Sequence, residues 1–147
     1  MRKLLLISCW LLFSCSKTDN GNNGGTNNPP TLHPNFAKGS DISWLTEMES
    51  AGKKFYSAAG TETECIQLLK NLGMNSIRLR VWVNPAGGWN NTADVLVKAV
   101  RAKNLGMRIM IDFHYSDSWA DPGQQTKPAT WASQDFTTLQ QSLYNHT

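Results

Sequence analysis

The chain has 147 residues and carries 14 Lys and Arg against 11 Asp and Glu, a net charge of +3. Arg2 and Lys3 supply part of that excess; without residues 1–14 the balance is 12 basic against 11 acidic, a net of about +1. No basic cluster remains, so the electrostatic footprint of nucleic-acid binding is missing and no nucleic-acid partner is expected.

Residues 1–15, MRKLLLISCWLLFSC, set two cations before an apolar run from Leu4 to Phe13 and close on Ser14 and Cys15. The run is too short to span a bilayer and reads as a secretion signal. Leu12-Phe13-Ser14-Cys15 has the form of a lipobox, which predicts cleavage before Cys15 and lipidation of that cysteine. The expected location is the outer membrane of a bacterium, with possible exposure at the cell surface. Cys9 leaves with the signal and Cys15 takes lipid, so Cys65 alone remains and no intrachain disulfide can form. Residues 16–35 are rich in Asn and Gly, and from Ser16 to Pro30 there is no apolar residue. Such a stretch buries too little surface to offset chain entropy and predicts a flexible tether of about 20 Å.

From 36 to 147 a folded region is expected. Strand-like runs cover Ala37 to Ser43, Ser76 to Val83 and Arg108 to His114. Asn71-Leu72-Gly73-Met74 recurs as Asn104-Leu105-Gly106-Met107, 33 residues on. Before the first copy, Cys65, Ile66, Leu68, Leu69 and Leu72 follow a helical period; before the second, Val95, Leu96, Ala99 and Val100 do so. Each helix stops at a glycine, the usual residue after a helix end. Thr61 to Glu64 reads as a capping box, and Asn91 or Thr92 caps the second helix. A third helix is predicted from near Ser133, with Phe136, Leu139 and Leu143 on one face.

Alternating strands and helices imply parallel βα units. Eight such units make a (β/α)8 barrel of about 250 residues, and this chain supplies about three. A three-stranded doubly wound sheet is the alternative, though it leaves more edge and helix surface open. The second strand alternates Ile77, Leu79, Val81 and Val83 with Arg78, Arg80 and Trp82, so period two sets both arginines and Trp82 on one face. Buried arginines need partners, and Asp41 and Asp112 are the candidates.

The run Met107 to Pro122 passes from an apolar strand to His114, Tyr115, Ser116, Asp117, Trp119 and Asp121. In parallel α/β folds the carboxyl ends of the strands are where ligands bind. Trp89, Trp119 and Trp131 lie in the loops after the second and third strands, the latter an eighteen-residue segment from Ser116 to Ser133. Indole faces beside Asp, Asn and Gln suit sugars. His114 has no second histidine near it in sequence, which is poor metal-ligand spacing; no metal is expected. No Gly-x-Gly-x-x-Gly follows a strand, so no phosphate-bearing cofactor is expected either. Cleaving a glycoside takes two carboxylates. Glu62 and Glu64 look like helix-start residues, and Glu47 and Glu49 lie away from any strand end, so the catalytic pair is not among them.

Gly39-Ser-Asp-Ile-Ser-Trp-Leu45, Asn75-Ser-Ile-Arg-Leu-Arg-Val-Trp-Val-Asn-Pro85 and Asp112-Phe-His-Tyr-Ser-Asp-Ser-Trp-Ala-Asp-Pro122, with Gln125, Pro128 and Trp131, resemble the first part of the family 53 glycoside hydrolases, the arabinogalactan endo-β-1,4-galactanases. The resemblance runs from about Phe36 to Thr147. It implies a (β/α)8 barrel that cuts β-1,4-galactan within the chain by a retaining mechanism. The two glutamates, at the ends of strands four and seven, are expected beyond Thr147. On this reading the chain is an N-terminal fragment, inactive alone, and no catalytic residue carries over. What carries over is the lining around the cleaved sugar, Arg78 and His114, with Asp41, Tyr115, Trp119 and Asp121. The rival readings are a non-catalytic surface glycan-binding lipoprotein and a related barrel that cuts another β-glycan.

Overall fold

The computed structural model describes residues 36–147. The signal, Cys15 and the whole tether, residues 16–35, lie outside the described residues. Within them, β1 (Gly39–Asp41), β2 (Ser76–Val81) and β3 (Arg108–Phe113) form a parallel sheet in the order β1-β2-β3. Gly39 pairs with Ser76, and Ser76 with Arg108. The helices are α1 (Leu45–Ser50), α2 (Cys65–Asn71), α3 (Thr92–Asn104) and α4 (Phe136–His146).

The expected βα alternation is present, with one addition. The short helix α1 follows β1 after three residues, and β1 is shorter than the strand-like run from Ala37 to Ser43. The reason is local: Asp41 Oδ1 accepts the Ser43 N–H at 2.9 Å and turns the chain, while Ser43 Oγ accepts the Arg80 N–H at 2.9 Å. A side chain thus takes the place of the next main-chain acceptor beside β2.

Both copies of the Asn-Leu-Gly-Met repeat end their helices in the same way. Gly73 donates to Lys70 O at 2.9 Å and Met74 to Leu69 O at 3.1 Å; Gly106 donates to Lys103 O at 2.8 Å and Met107 to Ala102 O at 3.0 Å. These are paired Schellman closures, with Gly73 at φ 86° and Gly106 at φ 66°. The following strand is launched within two to three residues, which explains the recurrence of the motif.

The helix starts differ in detail. Asn91 caps α3 by accepting the Asp94 N–H, as expected. At α2 the cap is Glu64, whose carboxylate accepts the Gln67 N–H at 2.6 Å. Thr61 is drawn instead into a turn, donating its N–H to Ser57 Oγ while its carbonyl accepts the Ser57 N–H. Glu62 pairs with Lys54 at 3.0 Å. α4 begins at Phe136 behind the cap Asp135, later than the expected Ser133, because residues 129–131 form a separate 3₁₀ turn.

Ile77, Leu79 and Val81 of β2 pack with Ile42, Leu45, Ile66, Val95, Ala102 and Met107 into one core between the sheet and the helices. Cys65 and Leu69 lie against this core partly buried, and burial pushes the Cys65 thiol up. The buried stripe of α3 is Val95, Lys98 and Ala102, whereas Leu96 and Val100 are exposed. Arg101, at the end of α3, forks onto Glu49 at 2.7 and 2.8 Å and also binds Glu64, tying α1, α2 and α3 together.

Asp41, Glu64, Asp94 and Asp135 all have carboxyls held below their ordinary values. Burial pushes the first three up, but hydrogen bonds and cations outweigh it; for Asp135 the Thr138 N–H dominates. A carboxylate with a depressed folded value contributes stability that is present above the unfolded value and lost as pH falls through the folded one. Unfolding midpoints should therefore drop as pH is lowered from about 5 to about 3, measured by urea denaturation. Asp94→Asn should flatten that dependence.

On the far side of the sheet β3 pairs only with β2 among the described residues, and Ile109, Met110 and Ile111 are exposed. α4 buries none of its residues, and Phe136 is 81 % exposed. An open apolar strand edge templates association. Residues 36–147 produced alone should self-associate in sedimentation velocity, and Met110→Lys should reduce it. A monomer with a cooperative thermal transition would contradict this.

Candidate functional site

The polar face of β2 and the ends of its neighbours build the site. Arg78 faces β1 on one side and β3 on the other. Its guanidinium binds Asp41 through one terminal nitrogen and Asp112 through the other. His114 Nε2 lies 2.7 Å from the same Asp112 oxygen, and Trp82 Nε1 donates to His114 Nδ1 at 3.3 Å. An indole nitrogen can only donate. Nδ1 therefore accepts, and Nε2 carries the proton it gives to Asp112. A continuous chain results, from Trp82 through His114, Asp112 and Arg78 to Asp41, across the carboxyl ends of three strands. Partial burial pushes the Asp41 carboxyl up, but Ser43, the Arg80 charge and Arg78 together bring it below the usual aspartate range.

The two carboxylates named as partners for the β2 arginines thus both belong to Arg78. Arg80 has neither. It lies among tryptophans instead, stacked over Trp44 and Trp119 with Trp82 beside them.

A cleft of about 520 Å³ opens beside the network, lined in part by His114, Tyr115, Asp121 and Gln125. His114 belongs to both the network and the cleft. Trp119 sits with its ring centre 6.3 Å from that of His114 and donates Nε1–H to Asp121 at 3.2 Å. Asp121 also accepts the Gly123 N–H at 2.7 Å, so its first task is to shape the loop. The Tyr115 hydroxyl lies 3.1 Å from Thr147 Oγ1.

The expected trio of rim tryptophans is different from the one present. Trp131 is buried, with His146 at 6.0 Å and Tyr115 at 6.5 Å between ring centres; it is a packing plug under the loop. Trp44, Trp82 and Trp119 form the aromatic group around Arg80. Trp82 and Arg80 were signalled by the alternation of β2. Trp44 stands next to the unforeseen α1 and had no such signal. Asp117 is a further residue whose role only geometry shows: it accepts the N–H groups of Asn84 and Ala129, both at 2.9 Å, and so binds the loop after β2 to the loop after β3.

Among the described residues, no group of three or more His, Cys, Asp or Glu is placed to hold a metal ion, and no helix is long and apolar enough to cross a membrane.

Fold and site together define a protein of successive parallel βα units with a polar and aromatic cleft at the strand ends. The chain belongs to glycosyl hydrolase family 53, whose model matches residues 37–147. It is 44 % identical over 110 residues to the probable arabinogalactan endo-β-1,4-galactanase A of Aspergillus terreus, covering 75 % of this chain and 32 % of that protein. With the endo-β-1,4-galactanase of Bacillus subtilis it shares 35 % identity over 124 residues, 79 % of this chain and 29 % of the relative. Among solved structures, the GH53 catalytic domain of Ignisphaera aggregans superposes with a TM-score of 0.75 at 38 % identity, over 80 % of this chain and 35 % of that one. A structure from a study of two fungal β-1,4-galactanases gives 0.71 at 43 %, over 75 % and 33 %. The chain spans about a third of the length of the curated relatives it matches.

Proposed function

We propose that the whole protein is an endo-β-1,4-galactanase that hydrolyses galactan or arabinogalactan within the chain. The observation that carries the reading is the Arg78 fork, which holds Asp41 and Asp112 at neighbouring strand ends beside His114. This makes a rigid row of hydrogen-bonding groups, set next to exposed indoles, and that combination suits a pyranose with polar edges and apolar faces. The galactanase names of relatives such as those of Aspergillus terreus and Bacillus subtilis support galactan as that sugar.

In the mechanism we propose, the three βα units are the first of a (β/α)8 barrel. Two glutamates beyond Thr147 act as acid/base and nucleophile. The nucleophile displaces the leaving sugar to form a glycosyl-enzyme ester as the acid protonates the departing oxygen; water, deprotonated by the same residue, then releases the product with its anomeric configuration retained. Arg78 and His114 hold the cleaved sugar in register for that attack, and Asp41, Tyr115, Trp119 and Asp121 extend the wall. No cofactor takes part. Lipidation at Cys15 would fix the enzyme to the outer membrane, with residues 16–35 as its tether.

The test is product analysis of the whole protein on β-1,4-galactan, mannan and β-glucan. Release of short galacto-oligosaccharides, first formed as the β-anomer by NMR, supports the reading. Retention of galactan without release would identify a glycan-binding lipoprotein, and cleavage of mannan or glucan alone a related barrel of other specificity. Incorporation of labelled palmitate, abolished by Cys15→Ala, tests the anchor.

A further inference from the structure

Arg80 lies on β2 between the segments that follow β1 and β3, and is 2 % exposed. Its guanidinium carbon is 4.7 Å from the ring centre of Trp44, 4.8 Å from that of Trp119 and 5.5 Å from that of Trp82. Nε and Nη2 are buried and have no hydrogen-bond partner among the described residues. Its main-chain N–H is held by Ser43 Oγ at 2.9 Å. Asp41 and Asp112 act on Arg80 only through space, their direct pairs being with Arg78, and a cation removed from water is costly unless something in contact with it replaces the lost solvation. Here that something is the negative face of the indoles.

The arrangement acts on the tryptophans as well. Trp44 and Trp119 come from different segments and stay 44 % and 47 % exposed, whereas Trp82 is buried. Trp82 meets Trp44 edge to face, with ring centres 5.8 Å apart. Asp121 holds the edge of Trp119. Among the described residues, the Arg80 guanidinium is the group placed over both exposed rings. Without it, two large side chains from separate segments would each be free to change rotamer over half-solvated surface.

We infer that Arg80 is a positioning residue, which clamps Trp44 and Trp119 into a two-ring stacking platform for the pyranose units of the polysaccharide without touching the sugar itself. The inference rests on the carbohydrate reading above for its ligand, but the clamp itself does not.

The whole protein labelled with 5-fluorotryptophan reads the clamp directly. Trp44→Phe and Trp119→Phe assign the two fluorine resonances. In Arg80→Met, which keeps an unbranched apolar stem and removes the cation, both resonances should shift and broaden; Arg80→Lys, which keeps a charge, should move them less. In galactan hydrolysis, Arg80→Met should raise KM by about tenfold, the scale of one well-desolvated cation–π contact, with a smaller change in kcat. Adding Arg80→Met to Trp119→Ala should raise KM little further, because the ring to be positioned is already gone. Unchanged fluorine spectra would overturn the clamp, as would a fall in kcat at constant KM. If the wild-type protein neither binds nor cleaves galactan, the functional proposal fails by itself, and the fluorine spectra still decide whether Arg80 fixes the rings.

Discussion

Replacing Asp94 by alanine should destabilise the whole protein by about 3 to 5 kcal/mol, the range found when one partner of a buried ion pair is removed. The Lys98 side chain is fully buried, and its ammonium donates its three protons to Asp94 at 2.6 Å, Ser43 O at 2.7 Å and Asn90 Oδ1 at 3.1 Å, with Thr46 Oγ1 3.4 Å away. Burial pushes the Lys98 amine down in pKa, and Asp94 works against that. Asp94 also accepts the Asn90 N–H at 2.6 Å, and Asn90 is fully buried with φ 63°. One carboxylate therefore neutralises a buried cation and holds a left-handed residue in place. Urea denaturation would measure the loss. Lys98→Met should also destabilise, since it strands Asn90 and Ser43 oxygens, but the double variant Asp94→Asn/Lys98→Met should recover part of the deficit because no net charge is left buried. A loss of less than about 1 kcal/mol for Asp94→Ala, the size of an exposed pair, would show that water reaches the site.

The second large effect concerns turnover rather than folding. On the proposed galactanase reading, Arg78→Ala should lower galactan hydrolysis about a hundredfold, the scale of a catalytic-site misplacement of an ångström. The side chains of Arg78, Asp41 and Asp112 are 40 %, 30 % and 27 % exposed, so solvent can take over much of their pairing. The stability cost should stay near 1 kcal/mol. Arg78→Lys should not rescue activity: one ammonium cannot span two carboxylates on the strands either side of β2 as a planar fork does. A collapse of the unfolding midpoint in Arg78→Ala would make the arginine structural.

The sequence showed the sheet well and the site in part, for reasons specific to each residue. Period two in β2 is a strong signal, and it correctly put Arg78, Arg80 and Trp82 on one face. The repeated Asn-Leu-Gly-Met is equally direct, because a Schellman closure needs a glycine at a fixed place. Division of the carboxylates was not legible: whether Asp112 serves Arg78 or its register partner Arg80 depends on how the guanidinium bends across strands. Trp131 and Trp119 look alike in sequence, and only packing against His146 separates plug from rim. Lys98 adds nothing to the apolar period of α3, so that pattern does not reveal it. It falls three residues after Val95 and four before Ala102, inside the buried stripe, and a lysine at such a spacing is itself a signal of an internal ion pair.

Asp117 joins the loops after β2 and β3 through backbone donors, the N–H groups of Asn84 and Ala129. Any residue except proline offers that donor. The joint therefore places almost no demand on the identity of its partners, and the surrounding side chains are free to vary while the two loops keep their relative placement. A designer wishing to retarget the cleft could transplant the segment carrying Trp119 and Asp121 from one relative to another, keep Asp117, and leave the receiving loop untouched.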